Sequence, residues 1–173
     1  MNYGNIKFYD IANGEGIRTS LFVSGCTNNC KGCFNKESQD FNYGQRYTDD
    51  TKNIIIEQIS KPYIAGLSIL GGDPMCQDNN GINCLIQLVD TVHKLNKTVW
   101  LWTGFSWEDF TCATDDFHST LLYGLITSCD VVVDGPYVES LRDVSLKFRG
   151  SSNQRIIDVK KTLEQHKINL LED

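Results

Sequence analysis

The sequence predicts an α/β fold in which mostly parallel strands alternate with helices, and three observations carry that prediction. Short apolar, β-rich runs recur along the chain, each closed by glycine or proline: "SLFVSG", "AGLSILGGDP", "KTVWLWTG" and "CDVVVDGPY". The segments between them place apolar residues at helical spacing. The chain holds 173 residues, enough for one core but short of the ~250 of a complete eight-stranded β/α barrel. A single domain over residues 1–173 is therefore expected, its sheet forming a partial, open barrel or a doubly wound sheet.

Each element follows in order. "NGEGIRTSLFVSGC" (residues 13–26) leads into a buried strand at residues 20–23 that delivers a cysteine-bearing loop from its C-terminal end. "TDDTKNIIIEQIS" (residues 48–60) reads as a helix with Thr48 as its cap, acidic residues in its first turn, and Ile55, Ile56 and Ile59 on one face. "AGLSILGGDP" (residues 65–74) is a strand, and Ile82, Leu85, Ile86, Val89 and Val92 mark the helix after it. "KTVWLWTG" (residues 97–104), "STLLYGLITS" (residues 119–128) and "CDVVVDGPY" (residues 129–137) read as strand, helix and strand. A polar loop, a short strand at residues 155–159 and a last helix complete the pattern. Parallel strands carry their functional residues at their C-terminal edge, where these Gly-rich ends fall.

Composition narrows the function. A net charge of -6 without clustered Lys and Arg argues against a nucleic-acid partner. No run approaches the ~20 apolar residues of a membrane helix, and residues 1–10 lack a basic start followed by an apolar run, so no membrane partner and a cytoplasmic location are expected. In that reducing compartment seven cysteines do not form a disulfide framework, and an odd number could not all pair. Clustered thiols there point to metal.

The cluster is "VSGCTNNCKGCFN" (residues 23–35), with Cys26, Cys30 and Cys33 in a C-x₃-C-x₂-C pattern. A closed zinc site wants four ligands, and this loop offers three. Three thiolates on a four-iron cluster leave one iron open, which separates catalysis from simple electron carriage. Gly25 and Gly32 let the backbone curl around a bulky inorganic core, and amides of residues 28–31 are placed to donate to its sulfides. Cys76, Cys84, Cys112, Cys129, His93, His118 and His166 are isolated, and core packing is the expected role for each.

The cysteine spacing after the first predicted strand resembles that of the radical S-adenosylmethionine enzymes. "GGDP", Gly71 to Pro74, is similar to their Gly-Gly-Glu-Pro motif with Asp73 in place of Glu. The further stretches "DIANGEGIRTSLFVSGC", "GCFNKESQDF", "LSILGGDPM", "VWLWTGFSWEDF", "DVVVDGPY" and "FRGSSNQRIIDV" span nearly the whole chain and resemble the activating proteins of anaerobic ribonucleoside-triphosphate reductase.

The resemblance implies a partial, open barrel and a 4Fe-4S cluster held by Cys26, Cys30 and Cys33. It implies S-adenosylmethionine chelated at the open iron and split to a 5′-deoxyadenosyl radical. The partner it implies is the large subunit of the reductase, whose glycine loop loses a hydrogen atom, with a low-potential electron donor such as flavodoxin. Gly32, Phe34, Gly71, Gly72, Asp73 and Gly104 are the implied cofactor-binding positions. Many relatives carry the aromatic just before the last cysteine, whereas here Gly32 precedes it and Phe34 follows, so the backbone at this position matters more than the ring. Asp134, "NGEG" (residues 13–16) with Arg18, and "GSSNQR" with Asn153, Gln154 and Arg155 are further candidates for cofactor or partner contact, with turn and cap roles as the plain alternative. Trp100, Trp102 and Trp107 read as packing rather than an aromatic cage.

Two other readings fit part of this pattern. A small radical enzyme of the deazaguanine synthase type would share the loop but act on a small molecule. A zinc-stabilised binding module would recruit Cys76 or His93 as a distant fourth ligand.

Overall fold

Side-chain caps set where the helices begin. In the computed structural model, which describes residues 1–111 and 116–171, the Thr48 hydroxyl accepts from the Thr51 amide while the Thr51 hydroxyl accepts from the Thr48 amide, starting α1 (Asp49–Ile59). Asp78 caps α2 (Asn79–Lys94) by accepting from the Gly81 amide. A short α3 (Trp107–Thr111) follows, and Asp116 caps α4 (Phe117–Ser128) through the Ser119 amide. Asp158 does the same for α5 (Val159–Gln165) through the Lys161 amide. Among the described residues no helix is long and apolar enough to cross a membrane.

The strands are β1 (Asn2–Asp10), β2 (Arg18–Val23), β3 (Gln45–Arg46), β4 (Gly66–Gly71), β5 (Thr98–Trp102), β6 (Val131–Asp134) and β7 (Arg155–Asp158). They form one sheet in the order β3-β1-β2-β4-β5-β6-β7. The middle is parallel, β2 with β4, β4 with β5 and β5 with β6, as the alternation predicts. The flanks are antiparallel: β1 pairs with β2 and β3, and β7 runs against β6. The fold is therefore mixed α/β, with an antiparallel layer at each edge that the βα pattern did not contain. Val159, expected to end the last strand, instead starts α5.

Alternation along the strands gives the sheet two unlike faces. Leu21, Val23, Leu67, Ile69, Val99, Leu101, Val132 and Ile157 pack with Ile55, Ile59, Ile82, Leu85, Leu88, Val89, Val92, Leu125 and Ile126 of the helices in the main core. The residues between them, Ser20, Ser68, Trp100, Val131, Val133 and Ile156, face the other way, where a smaller cluster gathers Trp102, Phe148 and Leu171. The Gly-rich segment 11–17 crosses this second face, and the Asn13 carbonyl accepts from Ser68 Oγ at 2.6 Å. The C-terminal ends of β2, β4, β5 and β6 lie side by side. At that edge, over the second face, lies the candidate site.

Candidate functional site

The site begins where β2 and β4 stay together beyond their last residues. The Gly72 amide donates to the Val23 carbonyl (2.7 Å) and the Asp73 amide to the Gly25 carbonyl (2.8 Å). On the other side the Gly25 amide donates to Ser38 (2.7 Å) and the Cys26 amide to Gln39 (3.1 Å). This close approach needs glycine. Gly71 has φ of 114°, and a Cβ there would stand 2.6 Å from the Val23 carbonyl oxygen; one on Gly72 would stand 2.5 Å from that of Gly25. The two glycines of "GGDP" thus seat the cysteine loop on β4, and the Gly71 carbonyl accepts from Asn35 Nδ2 at 3.2 Å.

Asp73 is the polar centre of this junction. It is 1% exposed. Its Oδ2 accepts from Asn28 Nδ2 (2.7 Å), the Gly104 amide (2.8 Å) and Thr103 Oγ1 (3.1 Å), and its Oδ1 accepts from the Met75 amide (2.9 Å). Burial pushes its pKa up, against the pull of these four donors. One carboxylate therefore ties together the cysteine loop, the end of β4 and the end of β5. The lack of a side chain at Gly104 makes room for Asn28, since a Cβ there would lie 2.4 Å from Asn28 Nδ2.

Beside this junction is a cavity of about 350 Å³. Cys26, Cys30, Cys33, Phe34, Gly71, Gly72, Asp73 and Gly104 all line it, together with Asn13, Trp102, Tyr137, Phe148, Arg149 and Gln154. The sequence-predicted residues are thus brought to one place, with one exception. Gly32 does not line the cavity; it turns at φ of 73° against the Glu139 side chain. Phe34 is 66% exposed, with its ring 5.5 Å from that of Tyr137 and the Arg142 guanidinium over the ring, 5.1 Å from its centre. The Asn28 amide donates to Cys26 Sγ at 3.4 Å. The Cys26 and Cys76 thiols share a hydrogen bond, which together with burial pushes Cys26 up and which, against burial, pulls Cys76 down to about 7.

The remaining candidates lie elsewhere. Arg18 is not on a partner or cofactor surface: it is buried, donating to Ser68 Oγ (2.8 Å), the Leu67 carbonyl (2.7 Å) and the Thr98 carbonyl (2.9 Å), at the opposite end of β2 from the cysteines. Asp134 is also buried and off the cavity. Its Oδ2 accepts from the Trp107 amide at the start of α3 and its Oδ1 from Arg155 Nε (2.9 Å), while Arg155 also grips Glu108. Asn153 donates to the Pro136 carbonyl, whereas Gln154 reaches the cavity wall, donating to Gly135 and accepting from the Gly150 amide. Cys129 is a core thiol bonded to the Leu125 carbonyl, and burial pushes its pKa up. Cys84 is half-buried, His93 pairs with Asp130 at 2.9 Å, and Cys112 lies outside the described residues. Trp100 and Trp107 pack in the interior, and Trp102 forms part of the cavity wall. A larger cleft of about 570 Å³ between α3, α4 and α5 contains none of the described cysteines.

Sequence reasoning singled out Asn13 only as part of "NGEG", passed over Tyr137, Phe148 and Arg149 individually, and treated Asn28 as a loop former. Tyr137, Phe148 and Arg149 carried only the signal of lying in the "DVVVDGPY" and "FRGSSNQRIIDV" stretches.

Comparison with known proteins agrees with this geometry. A family model described as a 4Fe-4S single cluster domain matches residues 12–157. The anaerobic ribonucleoside-triphosphate reductase-activating protein of Vibrio cholerae serotype O1 is 39% identical over 160 residues, covering 90% of this chain and 97% of that protein. The proteins of the same name from Enterobacteria phage T4 and Escherichia coli K12 are each 36% identical, over 157 and 158 residues, covering 90% and 89% of this chain and 93% and 96% of theirs. Matched along nearly its full length at this identity, the chain belongs to the family of anaerobic ribonucleoside-triphosphate reductase-activating proteins.

Proposed function

We propose that the protein is a radical S-adenosylmethionine activase that installs a glycyl radical on the large subunit of an anaerobic ribonucleoside-triphosphate reductase. The observation that carries this is the convergence of Cys26, Cys30 and Cys33 on one cavity beside the "GGDP" turn. The donor set fits a 4Fe-4S cluster with one iron left for a non-protein ligand: three thiols share the cavity, and no other described cysteine lines it. When bound, the cluster and S-adenosylmethionine supply one-electron cleavage of the sulfonium and a carbon radical able to take a hydrogen atom from the partner's glycine.

The chain's own residues then bind, orient and shield. Cys26, Cys30 and Cys33 are the cluster ligands. Asp73, through Asn28 and Gly104, fixes the cysteine loop against β4 and β5. Gly71 and Gly72 keep the backbone thin where the cofactor approaches, and Phe34 stands at the rim. Trp102 and Phe148 form an apolar wall that limits water, joined by the Trp102 Nε1 bond to the Phe148 carbonyl (2.8 Å). Gly32 shapes the loop against Glu139 and serves the cofactor only through that shape. Hydrogen-atom abstraction demands no general acid or base, and the work of the site is positioning. We read the sheet as a shortened, open barrel and residues 1–173 as one domain; an open barrel leaves the radical site within reach of a loop from a macromolecule. A low-potential carrier such as flavodoxin is the proposed electron donor.

The test is to mix the reconstituted protein with the reductase large subunit, S-adenosylmethionine and a strong reductant without oxygen. The expected result is a glycyl radical doublet by electron paramagnetic resonance, with methionine and 5′-deoxyadenosine released, all abolished by Cys30→Ala. Cleavage of S-adenosylmethionine with no protein radical would refute the activase assignment.

A further inference from the structure

We infer that Cys26 and Cys76 are a redox pair, closing into a reversible disulfide that withdraws Cys26 from metal ligation. Cys76 was expected to be a packed core thiol, and it is not. It ends the turn Pro74–Cys76 directly after "GGDP" and is half-buried. Its sulfur, the Cys26 sulfur and an Asp73 carboxylate oxygen all lie within 4.8 Å of one another. Thr27 Oγ1 lies 3.3 Å from the Cys76 sulfur. The backbone holds the two residues in this relation, because the Asp73 amide donates to Gly25 (2.8 Å) and the Cys76 amide to Asp73 (3.1 Å). Closing the pair takes the sulfurs from within 4.8 Å of each other to the ~2.05 Å of an S–S bond.

The pair is also reachable from outside. Cys76 lines a separate cleft of about 500 Å³ with Thr27, Phe105, Phe110 and His118, away from the wall that carries Cys30 and Cys33. A small peroxide entering there meets a thiol with a second thiol at hand. One cysteine sulfur, as thiolate, attacks a peroxide oxygen; the O–O bond breaks, leaving a sulfenic acid and a hydroxide that takes up a proton as water. The second sulfur attacks the sulfenic sulfur, the S–S bond forms, and the departing hydroxide takes the second thiol proton as a second water. Two thiols lose two electrons and the peroxide gains them. A dithiol reverses the step by exchange and is itself oxidised to a disulfide.

The consequence for metal rests on the proposed cluster. A disulfide sulfur is not a thiolate ligand, so Cys26 serves the cluster or Cys76, never both. After oxidative loss of iron, Cys76 traps the first oxidation product of Cys26 as a disulfide before it advances to the irreversible sulfinic acid.

The experiment uses the full chain, purified without oxygen, stripped of iron by a chelator and treated with two equivalents of hydrogen peroxide, one more than the disulfide consumes and enough to carry one thiol to sulfinic acid. Peptide mapping by mass spectrometry is expected to show Cys26 joined to Cys76, and dithiol treatment to restore iron loading to that of the untreated protein. Cys76→Ala is expected to load iron as the parent does before oxidation, and to lose that recovery after it, with Cys26 found as sulfinic acid. A map joining Cys26 to Cys30 or Cys33, or showing Cys26 overoxidised while Cys76 stays free, overturns the pair without needing the variant. If the Cys26–Cys76 disulfide forms but Cys26→Ala loads iron normally, the pair stands and the three-cysteine cluster assignment fails.

Discussion

Asn28 and Asp73 meet across 45 residues of sequence, and their bond is the side-chain link from the tip of the cysteine loop to the buried carboxylate. Removing it in Asn28→Ala leaves a buried carboxylate oxygen with one donor fewer, a loss of about 1–3 kcal/mol. We expect the variant to fold, with a lowered unfolding midpoint, and to retain less iron per chain after reconstitution than the parent, measured by denaturant titration and iron assay. Unchanged iron retention would mean that the loop is held by its backbone bonds alone. The three cysteines and "GGDP" could be singled out in the sequence by residue type and spacing alone, and the fold brings them to one cavity. The partners of Asp73 could not be, since Asn28, Thr103 and Gly104 reach it only through the fold. Gly104 was picked out as a strand-end glycine, but what fills the space above it is Asn28 rather than open cavity alone. Cys76 was misread for the same reason: an isolated cysteine says nothing of the thiol it meets.

At the scale of elements, β4 is the hinge of the account. Its last residue, Gly71, lies at a φ that side chains resist and under the Val23 carbonyl. Gly71→Ala therefore combines left-handed backbone strain, about 1–2 kcal/mol, with a steric clash against β2. We expect a clear drop in the unfolding midpoint and loss of cluster loading, whereas Gly124→Ala, inside α4 where an added Cβ meets only Ile86 at 3.9 Å, should lower neither and raise the midpoint slightly. Equal effects from the two substitutions would contradict the role given to Gly71. The helices were readable because capping residues and apolar spacing coincide, as Thr48 and Asp78 show. Strand β1 was not readable: most of its residues are partly exposed, and its pairing with β2 shifts register around Gly4, so neither an apolar run nor a clean alternation survives. For β7 the residues were found but not the direction, because burial pattern is the same whichever way a strand runs.

The whole molecule gathers the ends of four parallel-neighbouring strands at one edge and leaves the opposite end to structure. Arg18 illustrates the division: it satisfies its charge on Ser68, Leu67 and Thr98 far from the cysteines, stacked 5.7 Å from Trp100. At the cavity edge the chain between β6 and β7 supplies Tyr137, Phe148, Arg149 and Gln154 to the wall before turning back. That long return is what makes β7 antiparallel, and no local pattern announces it. On this molecule of net charge -6, Arg149 lines the cavity and Arg142 lies over the Phe34 ring at its rim. The most direct test of the central claim, a three-cysteine cluster with an open iron, is the electron paramagnetic resonance spectrum of the reconstituted, reduced protein before and after S-adenosylmethionine. A reduced four-iron signal whose shape changes on addition is the predicted result; a colourless protein that copurifies with stoichiometric zinc, or a four-iron signal indifferent to S-adenosylmethionine, would contradict it.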